Sequence, residues 1–313
     1  MKNTDMKGKI IMLIKFIIIA SICYLLLAYN IFNIGEKLVP STKDYLHIDI
    51  PEANQDLEEQ YLDIPQTPSQ QTGHFSAADI KNIDTLCKSM EICNKIDFSG
   101  SFTDTERYAK LSGINKIIKF ISDNSKRTKK IQDVISSIVV KKDTGNRRGY
   151  ATRDSIIFNI WTVKSNKEFI ELSAHEMGHI TDLGYIQWVS LRKDRNYTEF
   201  GKAVFAINDP SLSYYRLSRD KESIRKAEAK KKDFCSGYGM SDPFEDFSEC
   251  FNLYINHNAL FKEIAKTDTI LRRKYNYIAG IFSGKYISSN SQDISLVKND
   301  TVRRPRDTTK ISN

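Results

Sequence analysis

Two histidines four residues apart restrict this chain more than any other feature. They lie in ELSAHEMGHITDLGY, residues 171–185, as His175 and His179. Side chains at i and i+4 share a face on an α-helix, so joint use of the two imidazoles demands a helix through them. The surrounding residues agree. The run from Ser155 through Val163 is rich in β-branched and aromatic residues and reads as a strand. Asn166 stands where a cap belongs, ahead of a helix predicted over residues 167–183 and stopped by Gly184.

On such a helix His175 and His179 can offer two imidazole nitrogens to one metal ion, with Glu176 beside them. That is the H-E-x-x-H pattern of zinc hydrolases, in which the glutamate takes a proton from a water whose pKa the zinc lowers to about 7. The plain alternative is a helix with two surface histidines. A catalytic site needs a third protein ligand and an open position. A metzincin would place glycine and histidine where this chain has Asp182 and Tyr185, so that extension is missing. His74 and His257 sit in no motif, and His257 reads as structural or exposed.

Downstream, CSGYGMSDPFEDFSECF places Glu245 and Glu249 four apart on a helix that begins at Pro243. One carboxylate can bind the metal while the other accepts the N–H of a ligating histidine. A solvated acidic stripe with Asp246 is the competing reading, but Phe244, Phe247 and Phe251 argue for a packed helix.

Taken together, HEMGH and EDFSE resemble the gluzincin-type zinc metallopeptidases, above all the anthrax lethal factor family and the Pro-Pro endopeptidases. The resemblance covers residues 172–251. It implies an α+β, zincin-like two-lobed catalytic domain, with a small mixed sheet, an active-site helix and a mainly helical C-terminal lobe. It implies one Zn2+ per chain held by His175, His179 and Glu245, with Glu176 as general base and acid. Tyr238, seven residues before Glu245, becomes the oxyanion partner, and Glu249 the acceptor that holds a histidine, His175. It also makes the strand from Ser155 through Val163 an edge strand on which an extended peptide or protein substrate pairs. Two departures stand out: 66 residues separate His179 from Glu245, longer than in the small relatives, and the N-terminus differs from that of a secreted toxin.

Residues 10–34 are almost wholly apolar apart from Lys15, and the 19 residues 16–34 carry no charge, enough to cross a bilayer. Lysines 2, 7, 9 and 15 precede the span, so the positive-inside rule leaves residues 1–9 cytoplasmic and the remainder outside. The expectation is a single-pass signal anchor in the cell membrane, with a cleaved secretion signal as the alternative. Residues 1–33 carry +3 and residues 34–75 carry −6, which leaves +11 of the net +8 on the remainder. Residues 35–75 therefore read as an acidic, Pro-rich stalk and 76–285 as a basic metallopeptidase domain, with 286–313 a polar, frayed tail. The lysine runs lack interleaved aromatics and glycines, so no nucleic-acid partner is expected.

Within the domain, helices are expected over residues 77–93, 104–123, 244–257, 260–267 and 270–282, a helix turning into strand over 131–140, and mainly helical structure after Tyr185. Gly178 should face away from the metal and admit a close neighbour, and Gly239 should give Tyr238 its loop geometry. Asp182 either orients His179 or charges the helix surface. Cys235 and Cys250 are either bridged or free thiols, and a Cys87–Cys93 bridge needs a break in its helix. The functional expectation is a membrane-anchored, extracytoplasmic zinc endopeptidase. The alternative is a catalytically retired zincin-fold envelope binding protein, which has no need of Glu176 or Tyr238.

Overall fold

The computed structural model describes residues 61–62, 83–144, 147–199, 201–291, 297–298, 301–302 and 304–311. Helix α1 (Ile83–Met90) ends where Glu91 takes a positive φ of 59°. That left-handed residue reverses the chain, and Cys93 returns to bridge Cys87 with a Cα–Cα distance of 5.0 Å. The break this bridge requires is therefore present.

Strand β1 (Ile96–Ser99) leads to α2 (Asp104–Asn124), which opens on a capping box. Thr103 accepts from the Glu106 N–H, and the Glu106 carboxylate accepts from the Thr103 N–H. Strands β2 (Ser137–Lys141), β3 (Gly149–Ala151) and β4 (Ser155–Asn159) complete a four-stranded mixed sheet of order β1-β2-β4-β3. The first three are parallel and β3 runs antiparallel at the edge. Ile138, Val140, Ile156 and Phe158 are buried at alternate positions, while Ile157 between the last two is exposed. Phe158 meets Phe169 of the next helix at 5.1 Å between ring centroids, so the sheet packs on that helix through this face.

The strand expected to be an edge is thus an interior one. β4 has β2 on one side and β3 on the other, and it stops at Asn159 rather than Val163. A β-branched, apolar run signals a strongly packed strand, and strand neighbours on both sides favour the middle of a sheet over its rim. The edges belong to β1 and to the short β3.

Helix α3 (Asn166–Ile180) carries the two histidines. Its cap is Ser165, whose hydroxyl accepts the Glu168 N–H at 3.0 Å; Asn166 is already inside the helix. The helix ends in one widened turn, Thr181–Tyr185, closed by Ile186 N–H to the Thr181 carbonyl at 2.9 Å.

Residues 186–209 depart from the expected helical pattern. They form irregular chain with isolated bridges at Lys193–Ala206 and Glu199–Lys202, followed by the short α4 (Pro210–Tyr215) and a hairpin of β5 (Arg219–Lys221) and β6 (Ile224–Arg225). Turn chemistry wins over periodicity here. Asp194 accepts from the N–H groups of Asn196 and Tyr197, and Asp209 from those of Trp188 and Ser211.

Helices α5 (Pro243–Asn256), α6 (Asn258–Thr267) and α7 (Thr269–Ile281) follow. Asp242 caps α5 by accepting the Phe244 and Glu245 N–H groups, both at 2.9 Å. Phe247 and Phe251 pack with Tyr214 and Phe282. Asp246, next to the candidate ligand, is buried and held by Lys274 Nζ at 2.7 Å, so EDFSE is no solvated stripe. The described chain is mixed α+β, with a small mixed sheet and a helical C-terminal part.

Within the polar tail, the described residues 304–311 are docked rather than frayed. Arg304–Pro305 pairs in parallel with Tyr61–Leu62, and Thr308, Thr309 and Ile311 are buried. Polar composition predicted exposure, but the segment docks through its backbone, which composition does not reveal. Among the described residues no helix is long and apolar enough to cross a membrane. The expected span over 10–34, the stalk apart from Tyr61–Leu62, and His74 lie outside the described residues.

Candidate metal centre

Helices α3 and α5 cross where Gly178 meets Ser248. A Cβ on Gly178 would stand 2.9 Å from the Ser248 Cα, so only glycine permits this approach. The crossing brings Glu245 of α5 to the histidine face of α3. One ligand atom from each of His175, His179 and Glu245 lies within 4.8 Å of the other two, a grouping that could hold a metal ion. Glu245 Oε2 is 3.1 Å from His175 Nε2 and 3.4 Å from His179 Nε2.

The environment of these atoms fits a cation. Glu249 is wholly buried, and its Oε1 lies 2.8 Å from His175 Nδ1. A proton at Nδ1 shared with that carboxylate leaves a lone pair on His175 Nε2, aimed at the Glu245 carboxylate. Glu245 Oε2 is itself buried with no hydrogen-bond partner among the described residues. Acceptors that converge in this way repel one another unless a positive charge, either a bound cation or a proton on an imidazole, sits between them. Burial alone would raise the Glu245 carboxyl, but the His179 and His175 imidazoles reverse this and hold it well below the usual carboxylate range. Burial likewise disfavours a charged His175, yet Glu245 and Glu249 outweigh it and raise the imidazole.

Glu176 is buried on the neighbouring face of α3, and burial pushes its carboxyl up. It lies against β3. A Cβ on Gly149 would stand 1.9 Å from Glu176 Oε1, so the strand offers bare backbone to this carboxylate. Gly149 belongs to none of the motifs singled out in the sequence; its place six residues before the predicted strand at Ser155 was the available signal. Tyr238 sits half-exposed at the mouth of the site. Its hydroxyl donates to Glu245 Oε1 at 3.0 Å, and its ring stacks on His175 with centroids 6.0 Å apart.

The segment before Tyr238 is tied to α5 by the Cys235–Cys250 disulfide, with a Cα–Cα distance of 5.3 Å. Gly239 contributes by packing rather than by conformation. It is not among the positive-φ glycines, and a Cβ there would press on the Asp246 Cα at 3.3 Å. Asp182 takes neither of its expected parts. It is buried, its Oδ2 accepts the Tyr215 hydroxyl, and the Ser211 hydroxyl donates to its carbonyl at 3.3 Å. It joins the end of α3 to α4, and burial raises its carboxyl to about 7. His257 is buried too, with Nε2 3.1 Å from Glu171 Oε1 on α3.

No protein-family model matches this sequence, and no curated protein or solved structure matches it either.

Proposed function

We propose that this chain is a zinc-dependent endopeptidase of the gluzincin type, on a zincin-like fold, akin to the lethal factor and Pro-Pro endopeptidase family. The observation that carries the reading is the convergence of His175, His179 and Glu245, with Glu249 behind His175 and Glu176 alongside. Two imidazoles and a carboxylate form the donor set of catalytic zinc sites, which leave a further position open. Zinc bound there would supply a Lewis acid and lower the pKa of a coordinated water.

The chain's own residues would do the rest. Glu176, fixed against Gly149, accepts the proton of the attacking water and returns it to the leaving amine. Tyr238 releases Glu245 and donates to the oxygen that gains charge at the scissile carbonyl. An extended peptide would pair with the outer side of β3, which has the backbone of an edge strand and lies beside Glu176. Two disulfides suit an oxidising compartment, which supports an extracytoplasmic domain anchored by the N-terminal apolar run.

Glu176→Gln tests the mechanism. The variant should keep its zinc and lose about 10²–10⁴-fold in peptide hydrolysis, measured on a peptide library with metal content determined in parallel. Undiminished cleavage would rule out Glu176 as the base.

A further inference from the structure

Three parts of the metal centre meet the C-terminal segment. Thr308 N–H donates to Glu249 Oε2 at 2.8 Å, on the carboxylate whose other oxygen lies 2.8 Å from His175 Nδ1. The Thr308 hydroxyl accepts from Asn252 Nδ2 at 3.1 Å, further along α5. The carbonyls of Pro305 and Arg306 accept the N–H groups of Gly237 and Tyr238, at 3.0 and 2.9 Å. Asp307 and Thr309 both take hydrogen bonds from Arg148, which also donates to Glu168 Oε1 at 2.9 Å on α3. Arg148 immediately precedes Gly149, the residue that Glu176 rests against.

A buried carboxylate held through one oxygen can still rotate; held through both, it presents a fixed acceptor to the histidine. Thr308 supplies that second hold. Arg148 likewise has its guanidinium divided between α3 and the tail, which sets where β3 begins.

We propose that residues 305–309 are a positioning element of the metal centre. Through Thr308 they fix the carboxylate behind His175, and through Asp307 they fix the strand that backs Glu176. This rests on the zinc reading above. The hydrogen bonds of residues 305–309 run to Glu249, Asn252, Arg148 and the Tyr238 segment, and they act through these.

The test uses the full-length chain and zinc alone. Asp307 has φ −151° and ψ 120°, which suits the residue before a proline, and Thr308 opens a 3-10 turn, where no internal N–H is lost. Thr308→Pro therefore removes the donor to Glu249 with little strain, whereas Thr308→Val removes only the hydroxyl. Chelator competition should show zinc bound about 10- to 100-fold more weakly by the proline variant and within about threefold of the parent by the valine variant. Equal loss in both would overturn the assignment to the N–H.

A second measurement needs no variant. Coupling is reciprocal, so a tail that tightens zinc must be tightened by zinc. Hydrogen exchange at the Thr308 amide should slow at least about tenfold when zinc is added to the metal-free parent. Zinc binding with unchanged exchange and an unimpaired proline variant overturns the positioning role alone. A parent that binds no zinc overturns the metal reading and this proposal together.

Discussion

The two sides of the candidate metal centre are built from different material. One side is the α3–α5 pair, which presents side chains: two imidazoles, the Glu176 carboxylate, and the Glu245 and Glu249 carboxylates. The other side is a short strand and the starts of two 3-10 turns, which present mostly backbone: Gly149 under Glu176, the Thr308 N–H on Glu249, and the Tyr238 N–H bonded to Arg306. The helices bring side chains, and the strand and turns contact them through backbone. Side-chain chemistry at fixed helical spacing leaves a pattern in a sequence, and backbone chemistry leaves almost none.

A pair of glycines, one on each side, can break that comparison. Gly149→Ala would force a Cβ to within 1.9 Å of Glu176 Oε1, so the carboxylate must move. If Glu176 is the base proposed above, displacing it by about 1 Å costs about 100-fold, so kcat for peptide hydrolysis should fall by that factor while zinc content stays that of the parent. If kcat holds within threefold, β3 does not position Glu176.

Gly178→Ala should act on the other property. Its Cβ would meet the Ser248 backbone at 2.9 Å, pushing α3 and α5 apart at their crossing. Overpacking of this kind costs about 1–3 kcal/mol, which urea unfolding would record as a lower midpoint at unchanged slope. A midpoint equal to the parent's would mean that the crossing absorbs a methyl group, and that the helix side is looser than its packing suggests.

How much of this was legible follows the same division. Helix α2 and helices α5 to α7 lie close to their predicted bounds because apolar residues recur at helical spacing along them. His175, Glu176, His179, Glu245 and Glu249 were singled out by the spacing of HEMGH and EDFSE, and Tyr238 only through the family resemblance; the fold brings the two histidines, the two glutamates of α5 and Tyr238 together. The failures fall where backbone or turn chemistry decides. Residues 186–209 were read as helical, but the carboxylates of Asp194 and Asp209 capture local N–H groups and hold irregular turns. The edge was assigned to the apolar run from Ser155, yet the edge strand beside it is three residues long, Gly149–Ala151, too short to show a period. The tail is polar because its work is done by amides, carbonyls and Asp307, and polarity read as exposure.

Asp182 shows a further limit. It belongs to the opening motif in sequence but not to the metal centre in space, because the widened turn after Ile180 carries it towards Tyr215. Spacing rules presume a regular helix, and they end where the helix does.

The most direct measurement is the zinc content of the purified full-length protein, compared with the double variant His175→Ala, His179→Ala. The expected result is one zinc per parent chain and essentially none in the double variant at matched fold by circular dichroism. A parent without zinc, or a double variant that keeps one equivalent, would contradict the assignment of His175, His179 and Glu245 as a metal centre.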